Sequence, residues 1–99
     1  MKTSFIGKYC IIRSDRAGVF AGTVAEHEGQ SVILKDVRRL WYWDGAASDF
    51  QISVDGSTAP ENCKFTMPVE TLALFDVIEI LPATDKARSV IEGIKIWKR

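Results

Sequence analysis

Residues 18–37 read as two runs of alternating side chains joined by a short polar turn. That pairing limits the fold more than any other feature of the chain. After Gly18, the side chains of Phe20, Gly22 and Val24 fall on one face and those of Val19, Ala21, Thr23 and Ala25 on the other. A two-residue period belongs to a strand whose faces meet different surroundings. The segment EHEG carries Gly29 at the turn, and QSVILKDV at 30–37 returns as the second arm of a hairpin. Upstream, the β-branched run GKYCIIRSD at 7–15 predicts a strand before the hairpin. Downstream, RRLWYW at 38–43 prolongs the second arm until Asp44-Gly45 ends it.

Beyond Gly45 the pattern changes to helical spacing. Ala47, Phe50 and Val54 predict one face of a short helix, with Ser48 as N-cap and Gly56 as its stop. Residues 57–65 read as a loop around Pro60. The run VETLALFDVIEIL at 69–81 predicts a long strand closed by Pro82. Its alternation puts Leu74, Asp76, Ile78 and Ile80 on one face and Phe75, Val77, Glu79 and Leu81 on the other. Thr84 caps a second helix over 85–92 that ends at Gly93, and IKIWKR at 94–99 is a final strand or tail. The fold class expected is α+β: a mostly antiparallel β-sheet with one or two short helices. The 99 residues suit one domain, 1–99. A chain of this size buries only roughly 60–65% of its unfolded surface, so oligomerisation is an expected source of added stability.

Lys plus Arg and Asp plus Glu both number 13, so the net charge is zero. That balance argues against a DNA or RNA duplex as partner, because phosphate backbones are met by a basic excess. It leaves room for a small phosphorylated ligand, which needs only a few local cations. No apolar run approaches the ~20 residues of a membrane span, and the N-terminus lacks a secretory apolar core. Cys10 and Cys63 have no CxxC spacing and His27 is the lone histidine, so no metal and no cofactor is implied. Both cysteines are expected to be reduced, partly buried residues of a cytoplasmic protein.

The segment RRLWYW is where binding chemistry is expected. As a strand it presents Arg39, Trp41 and Trp43 on one side and Arg38, Leu40 and Tyr42 on the other. Either the strand is central with both faces covered, or one face lies in an interface or a ligand pocket. In the structural alternative, the arginines pair with Asp36, Asp44 or Asp49 or stack on rings, and the aromatics are core. In the functional one, a ring stacks a purine and an arginine fork grips a phosphate. Arg16, in the turn RSDRAG, and Asn62 and Lys64, in ENCKF, are further ligand-binding candidates. Thr84, Lys86 and Arg88 at a helix start, and His27 in a turn, have simpler readings as a cap, a solvated face and a polar turn residue. Nucleophile elbow, metal constellation and glycine-rich phosphate loop are all missing, and Asp76 and Glu79 fall on opposite faces. Binding without turnover fits better than an enzyme.

The segments DRAGVFAGTV, LKDVRRLWYWDGAAS, NCKF and DVIEILPATDKA with SVIEGIKIWK resemble a family of small phage or prophage proteins similar to the Thoeris anti-defence 1 sponges. The similarity spans nearly all of residues 10–98. The resemblance implies a protein that sequesters cyclic ADP-ribose isomers made by bacterial TIR-domain defence proteins, without cleaving them. It further implies dimers or hexamers with nucleotide pockets between protomers, in some members capture of cyclic oligonucleotides, and a cytoplasmic site of action in an infected bacterial cell. Trp41, Tyr42 or Trp43 would then stack the base, Arg16, Arg38 and Arg39 would hold phosphates, and Asn62 and Lys64 would add polar contacts. The rival expectation is a phage adaptor that docks a host protein through the aromatic strand.

Overall fold

The computed structural model describes residues 4–99. Strands β1 (Tyr9–Ser14), β2 (Gly18–Glu28) and β3 (Ser31–Tyr42) form an antiparallel meander, with Gly29 in the β2–β3 turn at φ 58°. Helix α1 (Asp49–Asp55) follows, then one turn of 3-10 helix at Pro60–Asn62. Strands β4 (Lys64–Phe65), β5 (Val69–Leu74) and β6 (Val77–Pro82) precede helix α2 (Asp85–Gly93). The expected α+β class, a six-stranded antiparallel sheet with two helices, is what the chain adopts.

β5 pairs with β3 and β6 pairs with β1, so the two ends of the meander are held by consecutive strands separated only by Phe75 and Asp76. Both run antiparallel to neighbours that are themselves parallel, so β5 and β6 form one bent ribbon that draws the sheet edges together. Bonds from Asp15 N to Asp76 O (2.9 Å) and from Val77 N to Gln30 O (3.0 Å) fasten the bend. The single strand expected over 69–81 is therefore broken at its middle. Its facing also departs from simple alternation. Arg13 pairs with Glu79 but Ser14 with Val77, so Ile78 bulges out to solvent while Val77 and Ile80 both turn inward.

The closed side of the sheet holds one apolar cluster: Cys10, Ile12, Phe20, Val24, Val32, Leu34, Val37, Leu74 and Val77. The other side is roofed by the helices and holds a second, with Tyr9, Ile11, Leu40, Phe65, Ile52 of α1 and Ile91 of α2. β1 feeds the two clusters alternately, as the two-residue period requires. β3 does so with a shift. Asp36 sits at φ 50° and is exposed together with Lys35, so Val32, Leu34 and Val37 reach the closed side although their numbers change parity. After that bulge Arg38 and Leu40 face the helices and Arg39 and Trp41 face away.

The caps fall where the side-chain chemistry places them. Ser48 accepts from Gln51 N at α1, Gly56 ends that helix at φ 74°, and Thr84 Oγ1 accepts from Ala87 N (3.0 Å) at α2. The inner face of α1 is not the one its spacing suggested. Phe50 and Val54 are 59% and 54% exposed, while Ile52 and Ser53 are buried. A helix of under two turns needs only one apolar anchor, and Ile52 joins Ile11 and Ile91 in the roofed cluster. Cys10 and Cys63 are free buried thiols, and burial pushes Cys10 up to about 11. Among the described residues no helix is long and apolar enough to cross a membrane.

Candidate functional site

The two arginines of RRLWYW part company once the strand is folded. Arg38 is 5% exposed and points under the helices. Its Nη1 donates to Ile91 O (2.7 Å), its Nε to Thr66 O (2.8 Å) and its Nη2 to Phe65 O (3.2 Å), and its guanidinium lies 5.6 Å from the centre of the Phe65 ring. Ile91 belongs to the last turn of α2, whose carbonyls lack intrahelical donors and carry the negative end of the helix dipole. Burial lowers the Arg38 pKa from its ordinary value. This side chain ties α2, β4 and the following turn to β3. Its expected part as a phosphate holder is corrected on that ground: three of its five donors are already committed. The depression of about 360 Å³ that reaches it has the carboxylates of Asp36 and Glu92 on its rim.

Arg39, next along, is exposed. Its guanidinium stands 5.1 Å over the Phe20 ring and makes no ion pair among the described residues. Its backbone is fixed by exchange with Thr66, through Arg39 N to Oγ1 (2.9 Å) and Thr66 N to Arg39 O (3.1 Å). Trp41, two residues on and on the same face, is 61% exposed. It stacks on Trp97 with ring centres 6.0 Å apart and planes 14° from parallel. That is within the range of an offset aromatic stack. Trp97 is brought there by the C-terminal segment, which runs beside β4 through the Phe65–Ile96 bridge and the Trp97 N to Phe65 O bond (2.9 Å). Lys64 Nζ lies 5.8 Å from the Trp97 ring centre and 5.9 Å from that of Tyr42, which is exposed. The result is a surface strip of flat rings with Arg39 at one end and Lys64 at the other.

Beside the strip an open groove of about 810 Å³ runs between residues 60–64 and 93–98. Its walls include Asn62, Lys64, Lys95, Trp97 and Lys98, against one carboxylate, Glu61. Its size falls within the roughly 300–1,000 Å³ typical of small-molecule sites. The groove wall is braced from behind. Asn62 Nδ2 donates to Asp44 Oδ2 (3.1 Å), and the Cys63 thiol lies against Asp44 O, Ser57 Oγ and Ala59 O.

The chain matches the family described as a domain of unknown function, DUF6948, over residues 7–91. It is a DUF6948 protein. No curated protein matches it, and no solved structure does. The matched span takes in Arg39, Trp41 and Lys64, while Lys95, Trp97 and Lys98 of this DUF6948 chain lie beyond it.

Of the residues expected at the site, Arg39, Trp41, Tyr42 and Lys64 come together on the strip, and Asn62 and Lys64 on the groove. Three do not. Arg38 faces the interior. Trp43 lies past the end of β3 and packs half-buried against the roofed cluster, not on the face of Arg39 and Trp41. Arg16 sits in the β1–β2 turn, where its backbone N donates to Asp76 Oδ2 (3.0 Å), and it lines neither groove nor strip. Trp97, Lys95 and Lys98 were missed. Their signal was present in IKIWKR at 94–99, a second aromatic among cations, but nothing in the local pattern tied that segment to residue 41.

Proposed function

We propose that this DUF6948 protein binds a cyclic nucleotide signal and withholds it without turnover, as its resemblance to the Thoeris anti-defence sponges implies. The supporting observation is the solvent-exposed Trp41–Trp97 stack bracketed by Arg39 and Lys64 beside a lysine-lined groove. A cyclic ADP-ribose isomer offers one purine face and two phosphates. An indole platform is worth about 1–3 kcal/mol per stacked base, and a cation on either side answers the two charges. No arginine–aspartate pair neutralises the strip among the described residues. The groove is open on a single protomer, so dimers or hexamers that cover it belong to the same proposal, and so does action inside an infected bacterial cell.

The test is a thermal-shift series with cyclic ADP-ribose isomers and cyclic oligonucleotides. A ligand at one hundred times its dissociation constant adds about 2.7 kcal/mol of stability. Trp41→Ala and Lys64→Ala are each expected to remove the shift while the apo melting temperature stays close to the parent. Ligand recovered intact from the heated complex marks a sponge, and a cleaved product marks an enzyme. No shift with any nucleotide refutes the reading in favour of an adaptor that meets a host protein through Trp41 and Tyr42.

A further inference from the structure

On the helix side of β3, the face opposite Arg39 and Trp41, the depression of about 360 Å³ opens onto Arg38. That guanidinium is buried, yet it forms no ion pair among the described residues. A buried arginine is seldom left without a counter-charge, because neutral acceptors repay only part of its desolvation. Its bonds to Thr66, Ile91 and Phe65 use one N–H on each of Nε, Nη1 and Nη2, which leaves one N–H uncommitted on each Nη. Tyr9, 8% exposed, lines the same depression, and its hydroxyl has no hydrogen-bond partner among the described residues. Two buried donors thus border one space with nothing to receive them. We propose that this depression binds a free α-amino acid with an apolar side chain, its carboxylate held by Arg38 and the Tyr9 hydroxyl and its ammonium by Asp36.

The charges around the depression decide the class of ligand. Asp36 lines it from the β3 bulge, at a φ of 50° that residues other than glycine seldom adopt, and makes no ion pair among the described residues. Glu92, on the rim, is shared with Arg88 of the same helix at 3.4 Å, and the Arg88 guanidinium lies 4.8 Å from the centre of the Tyr9 ring. Burial, then the Glu92 charge, pushes Tyr9 up to about 12, so its hydroxyl keeps its proton and can donate at neutral pH. A phosphate would bring only negative charge toward Asp36 and Glu92, and a bare amine only positive charge toward Arg38. A zwitterion answers both. The C-terminal end of α2 carries the negative end of the helix dipole and favours the ammonium on the same rim. Pro68, Ile94 and Ile96 supply an apolar wall for the ligand side chain, and the volume lies within the range of small-molecule sites. The site does not depend on the Trp41–Trp97 strip.

The experiment titrates the isotope-labelled protein with L-leucine and with L-phenylalanine and follows the backbone amide shifts by NMR. Saturable shifts are expected at residues 36–38 and 92–96, with Trp41 unmoved. Leucinamide lacks the carboxylate and N-acetyl-leucine lacks the ammonium, so each should bind at least about tenfold more weakly than L-leucine. Tyr9→Phe and Asp36→Asn should each weaken L-leucine by about tenfold. Both variants should melt close to the parent, because phenylalanine keeps the buried ring and asparagine tolerates the left-handed backbone. Should Tyr9→Phe fail to fold, Asp36→Asn decides. The absence of a saturable shift with both amino acids overturns the proposal, as do shifts centred on the groove instead. N-acetyl-leucine binding as tightly as L-leucine also overturns it, since that marks a plain anion site, and so does an Asp36→Asn affinity equal to the parent's.

Discussion

Replacing Arg38 by leucine is expected to weaken the whole domain, whereas the same change at Arg39 should barely register. Arg38 makes three hydrogen bonds to carbonyls, at 2.7, 2.8 and 3.2 Å. Bonds to a charged donor contribute about 1.5–3 kcal/mol each. The loss is less than their sum, because Ile91 O still receives Ile94 N and Phe65 O still receives Trp97 N. Thr66 O keeps no other donor among the hydrogen bonds found, and the cost of burying the guanidinium disappears with it. A net loss of about 3 kcal/mol follows. That is a large share of the roughly 5–15 kcal/mol that holds a domain of this kind. At about 4–8 °C per kcal/mol, the melting temperature should fall by roughly 12–24 °C. Arg39 is exposed, and its guanidinium stands over the Phe20 ring with no ion pair or side-chain hydrogen bond among the described residues, so Arg39→Leu should stay within about 0.5 kcal/mol of the parent. Thermal unfolding followed by circular dichroism, repeated as urea titrations, measures both. If Arg38→Leu melted within two or three degrees of the parent and had lost a nucleotide-induced shift, Arg38 would be a ligand residue and the reading of it as an interior joint would be wrong.

Two further outcomes follow from backbone and carboxylate geometry. Asp76 accepts from Ser14 Oγ (2.6 Å) and Arg16 N (3.0 Å), and chiefly the Ser14 bond lowers its pKa. A lowered value means stability present above the ordinary Asp range and lost as pH falls through the folded value; Asp76→Asn should therefore flatten the acid limb of a urea-midpoint profile measured from pH 6 to pH 2. Gly45 sits at φ 77°, and an added Cβ would lie 2.8 Å from Ser57 Oγ and against the backbone of Ala59. Gly45→Ala should cost about 2–4 kcal/mol by denaturant titration, and Gly29→Ala, at φ 58° with open space around it, only about 1 kcal/mol of strain.

What was legible in the sequence was whatever depends on neighbours in the chain. The hairpin of β2 and β3, the Ser48 and Thr84 caps and the stop at Gly56 follow from side-chain period and local hydrogen bonding, and the folded chain has them. What failed is what an extra residue decides. A bulge at Asp36 and another at Ile78 each reverse the facing of everything beyond them, and neither residue type announces it. The exposed Phe50 and Val54 show the same limit in a helix: apolar spacing marks a face, but only the packing partner decides whether that face is used. At the strip, alternation correctly separated Arg38 from Arg39. It could not say that Arg38 would be absorbed by carbonyls of α2 and β4, since those come from residues more than twenty positions away.

A chain of zero net charge can still offer an anion a cationic surface, and the pairing pattern explains how. Among the described residues Arg13, Lys86 and Arg88 stand opposite Glu79, Asp55 and Glu92, and three donors of Arg38 are committed to carbonyls. The three paired cations are largely offset by their partners, whereas Arg38, bonded to neutral carbonyls, keeps its charge but turns its donors inward. Arg39, Lys64, Lys95 and Lys98 make no ion pair among the described residues; the three lysines line the groove with Trp97, and Arg39 stands over Phe20 on the same face of β3 as Trp41. Salt screens charges more than about 8–10 Å apart at physiological strength, so a ligand in the groove feels these few cations and not the sum over the molecule. Charge balance over 99 residues therefore argues against a long polyanion, which would have to cross the carboxylates on the rest of the surface. It says nothing against a compact ligand with two phosphates, which need meet only the two ends of the strip.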